Sequence, residues 1–160
     1  MKPNIKILIA EDSLVNQKIL LHMLRHFGWD ADVVATGFGA LQAVETCKYD
    51  IVFMDLFMPE MDGMEATRRI IDSHQPEERP KIIALTANSE LDDKEKCFEA
   101  GMDDYITKPI RPEELQAVLE RWVPISANYN LSSTQNETKK KVEVEVYEHR
   151  NIPEYSIAHV

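Results

Sequence analysis

Residues 50–55 read DIVFMD: four apolar residues in a row, opened and closed by a carboxylate. A short run with no polar alternation suits a strand of a parallel sheet covered on both faces. On either side, IKILIA at 5–10 and KIIALT at 81–86 have the same texture. With the shorter runs they give strand candidates at 5–10, 31–36, 51–55, 81–86 and 104–107. Between them the patterning predicts helices over about 13–27, 38–48, 63–74, 90–100 and 111–122. On the first, Val15, Ile19, Met23 and Phe27 recur every four residues and are the expected core-facing row, with Ser13 as N-cap. The last opens on Pro112-Glu113-Glu114 and sets Leu115, Val118, Leu119 and Trp122 on one face. Strict alternation of strand and helix predicts a doubly wound α/β fold with right-handed crossovers and helices on both faces of a parallel sheet.

A chain of 160 residues has room for one domain of about 100–150 residues and a tail. Acidic residues outnumber basic ones, 28 to 18, and a net charge of −10 argues against a basic face for nucleic acid. The acidity is concentrated before Pro124, where 23 carboxylates face 14 basic side chains. No apolar run approaches the roughly 20 residues of a membrane span. The N-terminal apolar stretch runs straight into Glu11 and Asp12, without the cleavage site of a secretory signal. Cys47 and Cys97 have no metal-ligand spacing. The expectation is a cytoplasmic protein touching neither nucleic acid nor membrane. After Pro124, SANYNLSSTQNETKKK reads as a polar linker, and Val142, Val144 and Val146 then alternate with Glu143 and Glu145. That alternation predicts either a strand at 142–149, which could cap a sheet edge or pair two copies into a homodimer, or a disordered tail. The chain thus divides into a domain at 1–124 and a tail at 125–160.

In doubly wound folds, ligands sit at the carboxyl ends of the strands. Here the first strand ends on Glu11 and Asp12, the third on Asp55 and the fourth on Thr86, and Lys108 follows the fifth. If those ends share one edge, three carboxylates converge in a cleft. Like charges so close raise one another's pKa unless a cation neutralises them. Hard oxygen ligands with open positions suit Mg²⁺. A carboxylate nucleophile there could accept a phosphoryl group, with the metal and Lys108 balancing its charge. Taken singly, a strand-end Asp is often a helix cap, and Thr86 and Lys108 are ordinary strand and surface residues. Five such groups at the correct ends of the correct strands are hard to explain as packing.

With ILIAEDSLVNQ, DIVFMDLFMPEMDGMEATRRI, IIALTA and AGMDDYITKPI in this order and spacing, the chain resembles the receiver domain of two-component response regulators over about residues 4–124. The resemblance implies a flavodoxin-like (βα)5 sheet of strand order 2-1-3-4-5. It also implies Asp55 as phosphoacceptor. Mg²⁺ (or Mn²⁺) would be held by Asp12 and Asp55, by Glu11 through water and by the backbone carbonyl of Phe57. Thr86 and Lys108 would contact the phosphoryl oxygens. Thr86 and Tyr105 would be the switch pair, Lys108–Pro109 a cis bond, and Gly63 the relief of the turn into the third helix. The donor would be a histidine kinase or a histidine phosphotransfer protein, docking on Leu14 and Leu21 of the first helix. Asn16 and Gln17 are similar to the receivers of hybrid histidine kinases.

Thr36-Gly37-Phe38-Gly39 departs from the usual Asn-Gly and a good helix former, which should weaken the second helix's start. A haloacid-dehalogenase-like phosphatase would need an Asp where Phe57 stands, and a P-loop protein a Gly-rich loop with Lys-Ser/Thr after the first strand. A pseudo-receiver acting only as a docking scaffold would be expected to lack the acceptor or the lysine. The 36 residues after Pro124 show no helix-turn-helix pattern, and no histidine lies in a phosphodonor motif. The domain would therefore catalyse its own phosphorylation and dephosphorylation while another chain supplies the phosphoryl group. The opening Met and the tail lean toward a stand-alone regulator over an excised hybrid-kinase receiver.

Overall fold

Strand β1 (Ile7–Ala10) is buried at every residue, because Ile7 and Ile9 meet helices on one side and Leu8 and Ala10 meet helices on the other. The structure, a computed structural model, describes residues 3–88 and 90–127, the last four by backbone alone. The linker and the segment at 142–149 lie outside the described residues. After β1 follow α1 (Leu14–His26), β2 (Asp32–Val34), α2 (Gly37–Thr46), β3 (Ile51–Asp55) and α3 (Gly63–Ser73). The chain continues with a short 3-10 turn, β4 (Lys81–Thr86), α4 (Leu91–Glu99), β5 (Asp104–Thr107) and α5 (Pro112–Ala127).

All strand pairs are parallel, and the order is β2-β1-β3-β4-β5. On one face α1 and α5 pack over Ile7, Ile9, Ile51, Phe53, Ile83, Leu85 and Ile106. On the other, α2, α3 and α4 pack over Leu8, Ala10, Val52, Met54, Ile82 and Ala84. Burying each of the Ile, Leu, Val, Phe and Met side chains among them stabilises by about 1.5–3 kcal/mol, so the two-sided strands dominate the fold's stability. The edge strand β2 has only β1 for a neighbour, and its ladder stops at Val34 opposite Ala10, short of the expected 31–36. No helix among the described residues is long and apolar enough to cross a membrane.

The expected core row of α1 needs correcting. Val15 is 65% exposed, whereas Leu20, Met23, Leu24 and Phe27 are buried. Steps of four residues advance about 40° beyond a full turn each time, so a 15-19-23-27 row drifts off the core at its N-terminal end. Leu21, expected on the outer face, packs partly against the core, while Leu14 beside Val15 is 68% exposed. Helix α5 also continues to Ala127, beyond the expected end at 122, so Pro124 lies within it. At α2 the Thr36 hydroxyl accepts the Gly39 N–H at 2.9 Å, a cap that supports the glycine-rich start.

Gly63 is required for space rather than for an unusual φ. A Cβ there would stand 2.1 Å from the Asp55 carbonyl oxygen, which is backbone and cannot yield. The Gly63 N–H meanwhile donates to the Leu56 carbonyl at 2.9 Å. The start of α3 is thereby pressed onto the end of β3. Gly63→Ala is expected to lose about 2–3 kcal/mol in urea denaturation, the upper range for an overpacked contact. An unchanged midpoint would show that α3 shifts away freely.

Candidate functional site

Parallel pairing brings the carboxyl ends of β1, β3, β4 and β5 to one edge, and backbone bonds carry the alignment past the strand ends. The Glu11 N–H donates to the Val34 carbonyl at 3.1 Å, Leu56 N–H to Leu85 at 3.1 Å and Lys108 N–H to Thr86 at 2.7 Å. Glu11 and Asp55 are buried and Asp12 is exposed at the rim. Ligand oxygens of the three carboxylates lie within 4.8 Å of one another. The Lys108 ammonium stands 2.8 Å from Glu11 Oε2 and 3.1 Å from Asp55 Oδ1. The Lys108–Pro109 bond is cis.

The electrostatics follow from three carboxylates facing one ammonium. Burial pushes the Asp55 carboxyl up to about 6; the Glu11 charge adds to the rise, while Lys108 pulls against it. For Lys108 burial works against the charge, but Glu11 and Asp55 together outweigh it and hold its pKa above the ordinary lysine value. A divalent cation fits this donor set: hard oxygens only, close together, and short of positive charge. One ligand position is at the rim, where solvent reaches it.

Thr86 is buried, and its hydroxyl is occupied within its own loop. It donates to the Asn88 carbonyl at 3.0 Å and accepts the Asn88 N–H at 3.1 Å. The half-buried Tyr105 ring lies edge-to-face against Phe98 at 6.3 Å, with Lys94 Nζ 4.6 Å from its centroid. Both contacts come from α4, whose own anchorage is thin: Cys97 is its buried residue, and Leu91 and Phe98 are exposed. Phe57 is 67% exposed, and its N–H donates to Asp55 Oδ1 at 3.3 Å. The structure thus brings Glu11, Asp12, Asp55 and Lys108 into one cleft, with Thr86 on the strand end next to Lys108 and Tyr105 turned toward α4. The expectation from the sequence named these residues without their contacts. It missed Asn88, which holds Thr86, and the bond from Gln17 Nε2 to the Glu11 carbonyl at 2.6 Å. Side-chain bonds to loop carbonyls leave no periodicity to read.

Because the ionised Asp55 is held at a cost in the metal-free fold, Asp55→Asn is expected to raise stability in EDTA at pH 7 by about 1 kcal/mol. The partial loss of Lys108's partner keeps the gain below what burial alone suggests. A lower melting temperature for the variant would mean that the Lys108 contact outweighs desolvation.

Residues 7–120 match the family described as the response regulator receiver domain. A hybrid signal transduction protein of Dictyostelium discoideum, dokA, is 36% identical over 84% of this chain but only 8% of its own length. Histidine protein kinase 1 of Candida albicans is 40% identical over 73% of the chain and 5% of its own. The chain therefore spans a small part of these curated relatives. Among solved structures, the receiver domain of a Pseudomonas aeruginosa PAO1 sensor histidine kinase is 41% identical, with a TM-score of 0.68 over 78% of this chain and 99% of that one. That protein was crystallised with a magnesium ion coordinated in its active site cleft. The receiver domain of the Saccharomyces cerevisiae response regulator Ssk1 is 30% identical, with a TM-score of 0.73 over 79% of this chain and 94% of that one. It was crystallised with the histidine phosphotransfer protein Ypd1.

Proposed function

The chain belongs to the response regulator receiver family, and from that premise we propose that Asp55 accepts a phosphoryl group from a phosphohistidine and that the domain signals by a change of conformation. The observation that carries this reading is the Lys108 ammonium 3.1 Å from a buried Asp55 carboxylate, beside two further carboxylates. An Asp55 oxygen attacks phosphorus, the P–N bond to the donor breaks, and the freed imidazole nitrogen takes up a proton. Hydrolysis of the acyl phosphate returns the carboxylate and inorganic phosphate. Lys108 then pairs with a phosphoryl oxygen rather than a carboxylate oxygen. Thr86 turns its hydroxyl from Asn88 toward another. Glu11, Asp12, Asp55 and the Phe57 carbonyl would hold Mg²⁺ (or Mn²⁺), which supplies positive charge for the phosphoryl oxygens when bound.

The partner is a histidine kinase or a histidine phosphotransfer protein, and the domain works on the cytoplasmic side. The docking patch is Leu14 with Val15, both exposed on the first turn of α1 beside Glu11 and Asp12. Leu21 drops out of it, being packed toward the core.

Acetyl phosphate with Mg²⁺ should label Asp55 with an acid-stable, base-labile acyl phosphate that Asp55→Asn abolishes; normal labelling of the variant would sink the assignment. Lys108→Ala should fold yet respond weakly. In wild-type protein, beryllofluoride with Mg²⁺ should move the amide signals of residues 86–108 most, and a response confined to the carboxylates would count against the switch. Leu14→Asp should slow transfer from a protein donor about tenfold while sparing acetyl phosphate labelling. Equal slowing of both reactions would point to misfolding.

A further inference from the structure

The loop between β1 and α1 carries two of the three cleft carboxylates, and a side chain of α1 grips it. Gln17 Nε2 donates to the Glu11 carbonyl at 2.6 Å, while the Gln17 N–H donates to the Ser13 carbonyl at 2.9 Å. Glu11 Oε1 accepts the Ser13 N–H at 3.1 Å, and the Glu11 N–H is bound to Val34. Glu11 is thereby held at its N–H, its carboxylate and its carbonyl: Lys108 also meets the carboxylate at 2.8 Å, and Gln17 is the side chain that holds the carbonyl.

The carbonyl is the consequential contact. Glu11 C=O and Asp12 N–H belong to one planar peptide unit, so fixing the carbonyl direction fixes the direction in which Asp12 leaves the strand. The Asp12 side chain is exposed and makes no hydrogen bond or ion pair with the described residues. Its position therefore follows from its backbone. Gln17 is half-buried, so its bond to Glu11 is partly shielded from competing water.

We infer that Gln17 is a positioning residue for the metal-binding loop: by holding the Glu11 carbonyl it presets Asp12 toward Glu11 and Asp55 before a divalent cation arrives. Without that bond the Glu11–Asp12 peptide must be ordered during binding, and the ordering cost is subtracted from affinity. The inference rests on the receiver-site reading, in which these carboxylates hold Mg²⁺. It assigns Gln17 no contact with the metal or the phosphoryl group.

The test is Mg²⁺ titration of the full chain by calorimetry, with amide spectra recorded in EDTA. Gln17→Met keeps length and helix propensity but removes the donor. It should weaken Mg²⁺ binding about three- to tenfold and shift or broaden the Asp12 and Ser13 amides in EDTA, with β3 to β5 unmoved. Gln17→Arg restores a donor and should return those amides to their wild-type positions in EDTA, a readout insensitive to the arginine's effect on metal affinity. Mg²⁺ affinity within about twofold of wild type in Gln17→Met, even with a lower melting temperature, would reduce Gln17 to a brace and overturn the inference. So would unmoved amides, or failure of Gln17→Arg to restore them. A wild-type chain that takes up no Mg²⁺ would instead overturn the receiver-site reading on which the inference stands.

Discussion

The Lys108 ammonium, wedged between Glu11 Oε2 and Asp55 Oδ1, is the interaction on which the rest of the site depends. Its three members come from the ends of three different strands, and two of the three are buried. A buried carboxylate without a counter-charge costs several kcal/mol, so the cleft is tolerable only if the strand ends meet in one register. A slip of one residue would turn each side chain to the opposite face of the sheet. The register is held by central strands packed on both faces and by backbone bonds that continue the ladder, among them Lys108 N–H to the Thr86 carbonyl. The apolar runs and the charged cleft are therefore two parts of one solution: the core fixes the register that makes the charges affordable.

That solution is left incomplete. One ammonium does not balance three carboxylates, and burial, with the Glu11 charge adding to it, pushes the Asp55 carboxyl up against the pull of Lys108. A fold selected for stability alone would replace Glu11 or Asp55 by an apolar residue of similar size. Keeping both makes sense if the cleft exists to be completed from outside, by a cation and by a group whose charge Lys108 can then share. The same preparation shows at Thr86, whose hydroxyl is held on the Asn88 backbone, an attachment that can be exchanged.

Much of this was legible in the sequence, for identifiable reasons. Strands buried on both faces write themselves as apolar runs, so β3 and β4 began and ended where the runs did. Their terminal residues then named the cleft. The edge strand β2 was overdrawn because a strand with one neighbour stops where its partner stops. On α1 the row of four-residue steps misled, because it drifts around the helix and leaves Val15 in solvent. Gly63 was noticed for the wrong reason: its need is for room against the Asp55 carbonyl, which only the folded chain reveals. Gln17 and Asn88 were not legible as contacts at all: the Gln17 bond to a loop carbonyl depends on where the α1 axis points, and the Asn88 bonds to the Thr86 hydroxyl depend on how the loop after β4 turns.

The placement of these groups divides the domain into a firm part and a yielding one. Glu11, Asp12 and Asp55 extend from β1 and β3, central strands buried at every residue, and Gly63 presses α3 onto the end of β3. Thr86, Tyr105 and Lys108 belong to β4, β5 and the turn beyond. Between the last two strands lies α4, with one buried residue and two exposed apolar ones. The Tyr105 ring is held there by Lys94 and Phe98 of α4, contacts of about a kcal/mol each. A change of charge at Asp55 thus meets resistance toward β1 and α3, where motion would open a packed core. It meets little toward Thr86 and α4, where a few weak contacts are exchanged. On the proposed reading, direction of response follows from the distribution of packing, with the proposed phosphoacceptor Asp55 anchored on the firm side and the proposed switch pair, Thr86 and Tyr105, on the yielding one.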